Sequence, residues 1–169
     1  MLDMIVSFVV AGKTSGLWPG MPGEEADRLL GGETGLVSLG TADGPTGFKD
    51  GSLEVWVSSE GRVELVGFDA DTDGRFRAPA FGRSTTGQLS GPFSWEVVTA
   101  RLEACECPWS PAPTLTFDDQ CSIRTKVGVS LGFRVPESSP DAPVHAWLLE
   151  AVYRSFSEPL ARTDSGDAS

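Results

Sequence analysis

The predicted fold rests on one stretch, Gly20-Met21-Pro22-Gly23-Glu24-Glu25-Ala26-Asp27-Arg28-Leu29-Leu30-Gly31. Pro22 suits the start of a helix, where its missing N–H leaves no bond unmade, and the acidic residues after it lie at the positive end of the helix dipole. Gly31 can adopt the left-handed conformation that commonly ends a helix. One helix face then carries the apolar side chains of Pro22, Ala26, Leu29 and Leu30. This spacing predicts a short amphipathic helix that packs on a sheet.

The rest of the N-terminal half has the pattern of strands. Residues 4–10 are an apolar run that we interpret as a buried strand, and residues 36–39 form a second apolar segment. Alternating apolar residues over 53–57 predict a half-buried strand, and a further strand at 63–68 follows a turn at 58–62. These elements indicate a meandering antiparallel sheet.

A looser version of the same plan recurs after residue 90. A second helix is predicted to open at residues 91–95 and to stop at Cys107-Pro108, because proline cannot continue a helix. Periodicity predicts four further elements, which are strands at 115–117, 122–125 and 127–133 and a final helix at 144–156.

Together these patterns predict an α+β protein made of two similar halves, each a short helix packed on an antiparallel sheet. Residues 51–57 and 127–133 are interpreted as equivalent strands of the two halves. The predicted units are a first half at 1–75, a linker at 76–91, a second half at 92–158 and a flexible tail at 159–169.

The chain is strongly acidic. It holds 13 Lys and Arg residues against 24 Asp and Glu residues, and its formal net charge is -11 at pH 7. Such a charge repels phosphate backbones and therefore argues against nucleic acid as a partner. The same charge would steer a basic protein towards the surface. The alternative is that the charge only keeps the protein soluble.

The cysteines and the apolar segments bear on location. Cys105, Cys107 and Cys121 make an odd set, and the first two are too close in sequence to pair comfortably. We therefore expect no secreted disulfide framework, and we predict a cytoplasmic protein. The N-terminal apolar run lacks the basic flank of a signal peptide. No segment approaches the roughly 18 apolar residues of a membrane span, so no membrane association is expected.

The stretch Gly20–Gly31 also carries a resemblance to a known family. Gly20-Met21, four residues, Ala26, three residues and Leu30-Gly31 resemble the Gly-Met…Val…Leu-Gly helix of the small lipoprotein in the outer-membrane barrel assembly machinery. The resemblance covers residues 16–70 and implies a helical segment against a small antiparallel sheet. That fold occurs as a tandem duplicate in secreted β-lactamase inhibitor proteins. The layout also resembles uncharacterised actinobacterial immunity-type proteins, which neutralise a toxin by covering it.

Trp56 is the aromatic residue that we expect at a binding surface. Its alternation with Val55 and Val57 places it on the open face of the sheet beside Glu54, as an aromatic anchor with an acidic rim. The alternative is that a second layer covers this face. The predicted partner-binding residues are Trp56, Glu54, Asp69, Asp71 and Asp73.

Two other patterns point to different chemistry. Asp69-Ala70-Asp71-Thr72-Asp73-Gly74 has the alternating carboxylates and the glycine of a calcium loop, but Ala80 stands where that loop needs a bidentate glutamate. Gly128-Val129-Ser130-Leu131-Gly132 matches the nucleophile elbow of serine hydrolases, and Asp141 and His145 follow it. An elbow needs a helix after the serine, so we expect Ser130 on a strand, facing solvent.

The sequence therefore predicts a non-enzymatic, acidic protein that binds a basic protein, as an immunity or inhibitor protein does. No catalytic residue, metal ligand or cofactor is assigned. The alternatives are a small-molecule or calcium-binding sensor and a weak serine hydrolase.

Overall fold

The computed structural model describes residues 1–32, 46–81 and 87–156 of the 169-residue chain. Within these residues the helices are α1 (Leu2–Ala11), α2 (Gly23–Leu29) and α3 (Trp95–Ala104). The strands are β1 (Thr46–Asp50), β2 (Leu53–Val57), β3 (Val63–Asp69), β4 (Phe76–Arg77), β5 (Leu89–Ser90), β6 (Trp109–Pro111), β7 (Gln120–Thr125), β8 (Ser130–Arg134) and β9 (Leu148–Ser155). Short 3-10 helices cover Pro113–Leu115 and Val144–Ala146.

Strands from the N-terminal and the C-terminal parts of the described chain form one antiparallel sheet. Its seven strands lie in the order β1-β2-β3-β9-β8-β7-β6, and β4 pairs with β5 in a separate two-stranded sheet. The last strand, β9, pairs with β3 on one side and β8 on the other, and so joins the N-terminal meander to the C-terminal one. The α+β class with a large antiparallel sheet is confirmed. The similarity of the two halves is not confirmed, since among the described residues two helices precede the first meander and one precedes the second.

The core lies between the helices and one face of the sheet, which we call the inner face. It carries the buried side chains of Leu53, Val55, Phe68, Leu131 and Val152. In α1, Phe8 meets Phe68 edge-on at 5.6 Å between ring centroids. In α3, the Ser94 hydroxyl caps the N-terminus by accepting from the Val97 amide, and Trp95 lies 4.8 Å from Phe133. The helices thus hold the sheet from one side.

The prediction of a strand at residues 4–10 is wrong, because this segment belongs to α1. Its apolar residues are continuous enough to suit either a buried strand or a buried helix, and the choice depends on what surrounds them. The exposed positions Asp3, Ser7 and Val10 recur at helical spacing, while Ile5 and Phe8 face the core. The helix packs its mostly apolar surface on the sheet, beside α3.

The prediction of a helix at residues 144–156 is also wrong. Most of this segment forms β9, preceded by the 3-10 helix at Val144–Ala146. A register shift between β8 and β9 pairs Gly132 with Ala151 but Phe133 with Leu149. This bulge puts Leu149 and Val152, three residues apart, in the core, and so imitates the spacing of a helix.

Some of the remaining predicted elements are confirmed, and others differ from the structure. The helix within Gly20–Gly31 is confirmed as α2, the helix predicted from residues 91–95 is confirmed as α3, and the strand at 122–125 lies within β7. Around the predicted strand at 115–117 the chain instead forms the 3-10 helix Pro113–Leu115. Of residues 127–133, only those from Ser130 onward belong to β8.

The segment 76–91, interpreted as a linker, holds β4 and β5, and the buried Phe76 ring stacks on Phe93 at 5.9 Å. The apolar segment 36–39 and the tail at 159–169 lie outside the described residues. In the part of the chain that the structure describes, no helix has the length and apolar character needed to cross a bilayer.

Candidate functional site

The face of the sheet opposite the helices, here called the outer face, carries the predicted aromatic anchor. Along β2 the buried residues Leu53, Val55 and Val57 point to the inner face, so Glu54 and Trp56 point to the outer one. The Trp56 side chain is 40% exposed. The sequence-based prediction that Trp56 faces outward beside Glu54 is therefore confirmed.

Backbone packing holds the Trp56 indole in place. Trp56 pairs with Gly47 on β1 and with Leu65 on β3. A Cβ atom added to Gly47 would lie 3.0 Å from three atoms of the indole, so the ring rests directly over this glycine. Trp56 also lines a small recess of about 240 Å³, together with Glu64, Leu65 and Ser155. This packing holds the indole in a fixed position.

Lys49 on β1 connects two of the predicted acidic residues. Its Nζ lies 2.9 Å from Glu54 Oε1 and 3.4 Å from Asp69 Oδ2. The hydrogen bond to Glu54, with the nearby negative charges of Glu54 and Asp69, raises the pKa of Lys49 against the opposing effect of burial. Glu54 and Asp69 thus form one charged cluster, in which a single cation faces two carboxylates.

The other two predicted acidic residues lie in the tight turn after β3. The Asp71 amide donates to the Arg75 carbonyl, and the Gly74 amide donates to the Asp71 carbonyl. Asp73 accepts from the Arg75 amide at 3.2 Å, and its other carboxylate oxygen lies 3.4 Å from Arg75 Nε. The site therefore divides into Trp56 with Glu54 on the outer face, and the aspartates at the end of β3, with Lys49 between them.

The alternative of a calcium loop gains no support from this geometry. Asp73 is turned towards Arg75, and Asp69 towards Lys49. Within residues 1–32, 46–81 and 87–156, no three carboxylate, thiol or imidazole side chains converge closely enough to hold a metal ion.

The alternative of a serine hydrolase fails on the strand register. Ser130 opens β8 opposite Tyr153 and Arg124, whereas His145 precedes β9 near the other end of β8, where Leu148 pairs with Arg134. Four residues of strand separate the two ends by about 13 Å, so no Ser–His pair forms. The expectation that Ser130 faces solvent is wrong: its side chain is fully buried, and its Oγ has no hydrogen-bond partner in the described chain.

All three cysteines are free thiols, but they differ in environment. Cys105 is exposed, while Cys107 and Cys121 are half-buried. Burial raises the pKa of the Cys121 thiol, and burial together with the neighbouring Cys105 raises that of Cys107. The thiolate is the reactive form, so a raised pKa leaves less of it at a given pH.

We therefore expect iodoacetamide to alkylate Cys105 several-fold faster than Cys121 in the native protein, because Cys105 is exposed and the Cys121 pKa is raised. Peptide mass spectrometry after timed quenching measures each rate. In urea the rates should converge, which serves as the control. Equal native rates at Cys105 and Cys121 would contradict the burial described for Cys121.

Sequence reasoning missed two parts of the site. Lys49 was not singled out, although it is the only basic residue between Arg28 and Arg62, and a lone cation between acidic strands is a usable signal. The segment 134–138, which lies across from the turn after β3, was also not predicted to belong to the site. No local pattern marks that segment, since pairing of β8 with β9 and of β9 with β3 brings it there.

Comparisons of this chain with known protein families, with curated proteins and with solved structures find no match. The resemblance of Gly20–Gly31 to the small lipoprotein family stays a prediction from those residues alone.

Proposed function

We propose that this protein is a non-enzymatic binding module that covers a basic protein, as an immunity or inhibitor protein does. The observation that carries the proposal is the Trp56 indole, which is 40% exposed on the outer face and seated on Gly47. Exposed, well-positioned tryptophans are the residues that most often dominate binding energy at protein interfaces.

The charge around Trp56 supports a basic partner. Glu54 and Asp69 share the single cation of Lys49, and Asp71 and Asp73 extend the acidic surface beyond the end of β3. The whole chain carries a formal net charge of -11, which would accelerate encounter with a basic protein and repel an acidic one. The free thiols of the three cysteines support a reducing, cytoplasmic setting.

Trp56→Ala should weaken partner binding about tenfold or more, because it removes the aromatic anchor. Trp18→Ala is the matched control, since Trp18 is 39% exposed but lies in the loop before α2. We would capture proteins from the source cells on both variants and on the wild type, purify what the wild type retains, and measure its Kd by calorimetry.

Two results would support the proposal together: a Kd that rises for Trp56→Ala but not for Trp18→Ala, and an affinity that falls steeply as added salt screens the charges. The proposal would be contradicted by a partner that binds both variants with equal affinity. It would also be contradicted by a partner whose affinity does not change with salt concentration.

A further inference from the structure

A cavity opens where the strands of the sheet centre end, beyond the Lys49 cluster. Its volume is about 530 Å³, and its walls are the turn at 69–74 and the segment 134–138, with residues 148–150 of β9 between them. This volume falls within the range of sites that hold small ligands, about 300–1,000 Å³. The two walls come from distant parts of the chain that β9 joins.

The cavity is charged and asymmetric. Its carboxylates are those of Asp69, Asp71, Asp73, Glu137 and Glu150, against the single guanidinium of Arg134. Arg134 is already paired with Glu150 at 2.9 Å. Asp69 faces Lys49 and Asp73 faces Arg75, each at 3.4 Å. Within the described residues, cations therefore pair with three of these five carboxylates.

Asp71 and Glu137 are different. They stand on opposite walls of the cavity, both are exposed, and neither has an ion pair with another residue of the described chain. A single cation that reached between the walls could contact both. A metal ion does not suit this spread, because no three such ligands converge among the described residues.

The cavity also has an apolar part, formed by Val135, Pro136 and Leu148. A ligand that fits should therefore join an alkyl stem to a broad cationic head. An arginine side chain has this form, since its stem packs on apolar surface while its planar head offers five N–H donors to carboxylates on either side. A lysine ammonium is a compact charge and reaches one wall at a time.

We propose that this cavity receives one arginine side chain of the basic partner protein. The inference rests on the proposed function and deepens it, because it names the group that the partner inserts. Trp56 then anchors the partner on the outer face, and the cavity selects for an arginine at the end of the sheet.

The test titrates the full-length protein with Nα-acetyl-arginine methylamide and follows the backbone amides by ¹H–¹⁵N NMR. We expect saturable shifts at Gly74, Val135 and Leu148 with a Kd on the order of 1–10 mM, as befits one side chain. The blocked lysine analogue should bind more weakly. The blocked citrulline analogue, which has the same shape without the charge, should not bind.

Two variants that keep the fold then test the assignment. Asp71→Asn and Glu137→Gln should each weaken the binding of the arginine analogue about threefold or more. Both should also lower the affinity for the purified partner. Glu103→Gln on α3 removes the same charge from an exposed position away from the cavity, and should change neither.

Each outcome decides between the ideas. Absence of shifts at these amides, or equal shifts with citrulline, overturns the cavity proposal. Arginine binding that these variants weaken, with partner affinity unchanged, shows a site for a free small cation and overturns the assignment to a partner side chain. Partner binding that depends on Trp56 but not on Asp71 or Glu137 agrees with the proposed function and contradicts only the proposal that the cavity receives an arginine.

Discussion

Phe68→Ala should destabilise the protein by about 3–5 kcal/mol, the usual cost of removing a buried phenylalanine ring. Phe68 is 1% exposed near the C-terminal end of β3. Its ring meets Phe8 of α1 edge-on at 5.6 Å, and its strand neighbour on β9 is the buried Val152. The substitution leaves a cavity at the junction of α1 with the centre of the sheet, which the surrounding strands cannot easily close.

Urea unfolding followed by circular dichroism measures this loss as a shift of the midpoint. Val10→Ala is the control, because Val10 is 39% exposed on the other side of α1, and it should cost less than about 0.5 kcal/mol. Phe68→Leu keeps most of the apolar volume and should remain folded with an intermediate loss. Similar losses for Phe68→Ala and Val10→Ala would show that α1 does not lie over β3.

Gly51→Ala should destabilise the protein by about 2–4 kcal/mol, through backbone strain and a forced displacement of neighbouring backbone. Gly51 forms the tight turn between β1 and β2 with a φ of +60°, and an added Cβ would lie 2.7 Å from the Arg77 carbonyl oxygen. The same carbonyl accepts from the Ser52 amide at 2.9 Å. The methyl group would therefore push β4 off the turn.

Gly61→Ala separates strain from crowding. Gly61 also has a positive φ, +72°, but an added Cβ there would meet nothing within 4 Å. This variant should show the strain alone, about 1–2 kcal/mol. The same urea measurement compares the two, and an equal loss in both variants would mean that β4 does not press on the β1–β2 turn.

Local patterns predicted some elements well. Pro22 and Gly31 flank α2 and act through backbone conformation alone, so the helix could be placed without knowledge of the fold. The alternation over Leu53–Val57 likewise predicted β2 and the outward direction of Trp56. Both signals are carried within a few residues.

The elements at the two ends of the described chain could not be predicted in this way. The apolar run in α1 suits a helix or a strand, and only its packing on the sheet beside α3 decides between them. In β9 the bulge opposite Gly132 shifts the inward residues to helical spacing. Such a shift depends on the partner strand, so it leaves no local trace.

The candidate site shows the same division. The sequence by itself determined that the chain is acidic, that Trp56 points away from the core, and that Asp69, Asp71 and Asp73 lie at and just after the end of β3. Only the tertiary structure decided which charges face one another: Lys49 meets Asp69 across strands, and the segment 134–138 closes a cavity opposite Asp71. The physical reason is range, since side-chain direction follows from the neighbouring backbone, whereas the meeting of distant charges requires the full pairing of β3, β9 and β8.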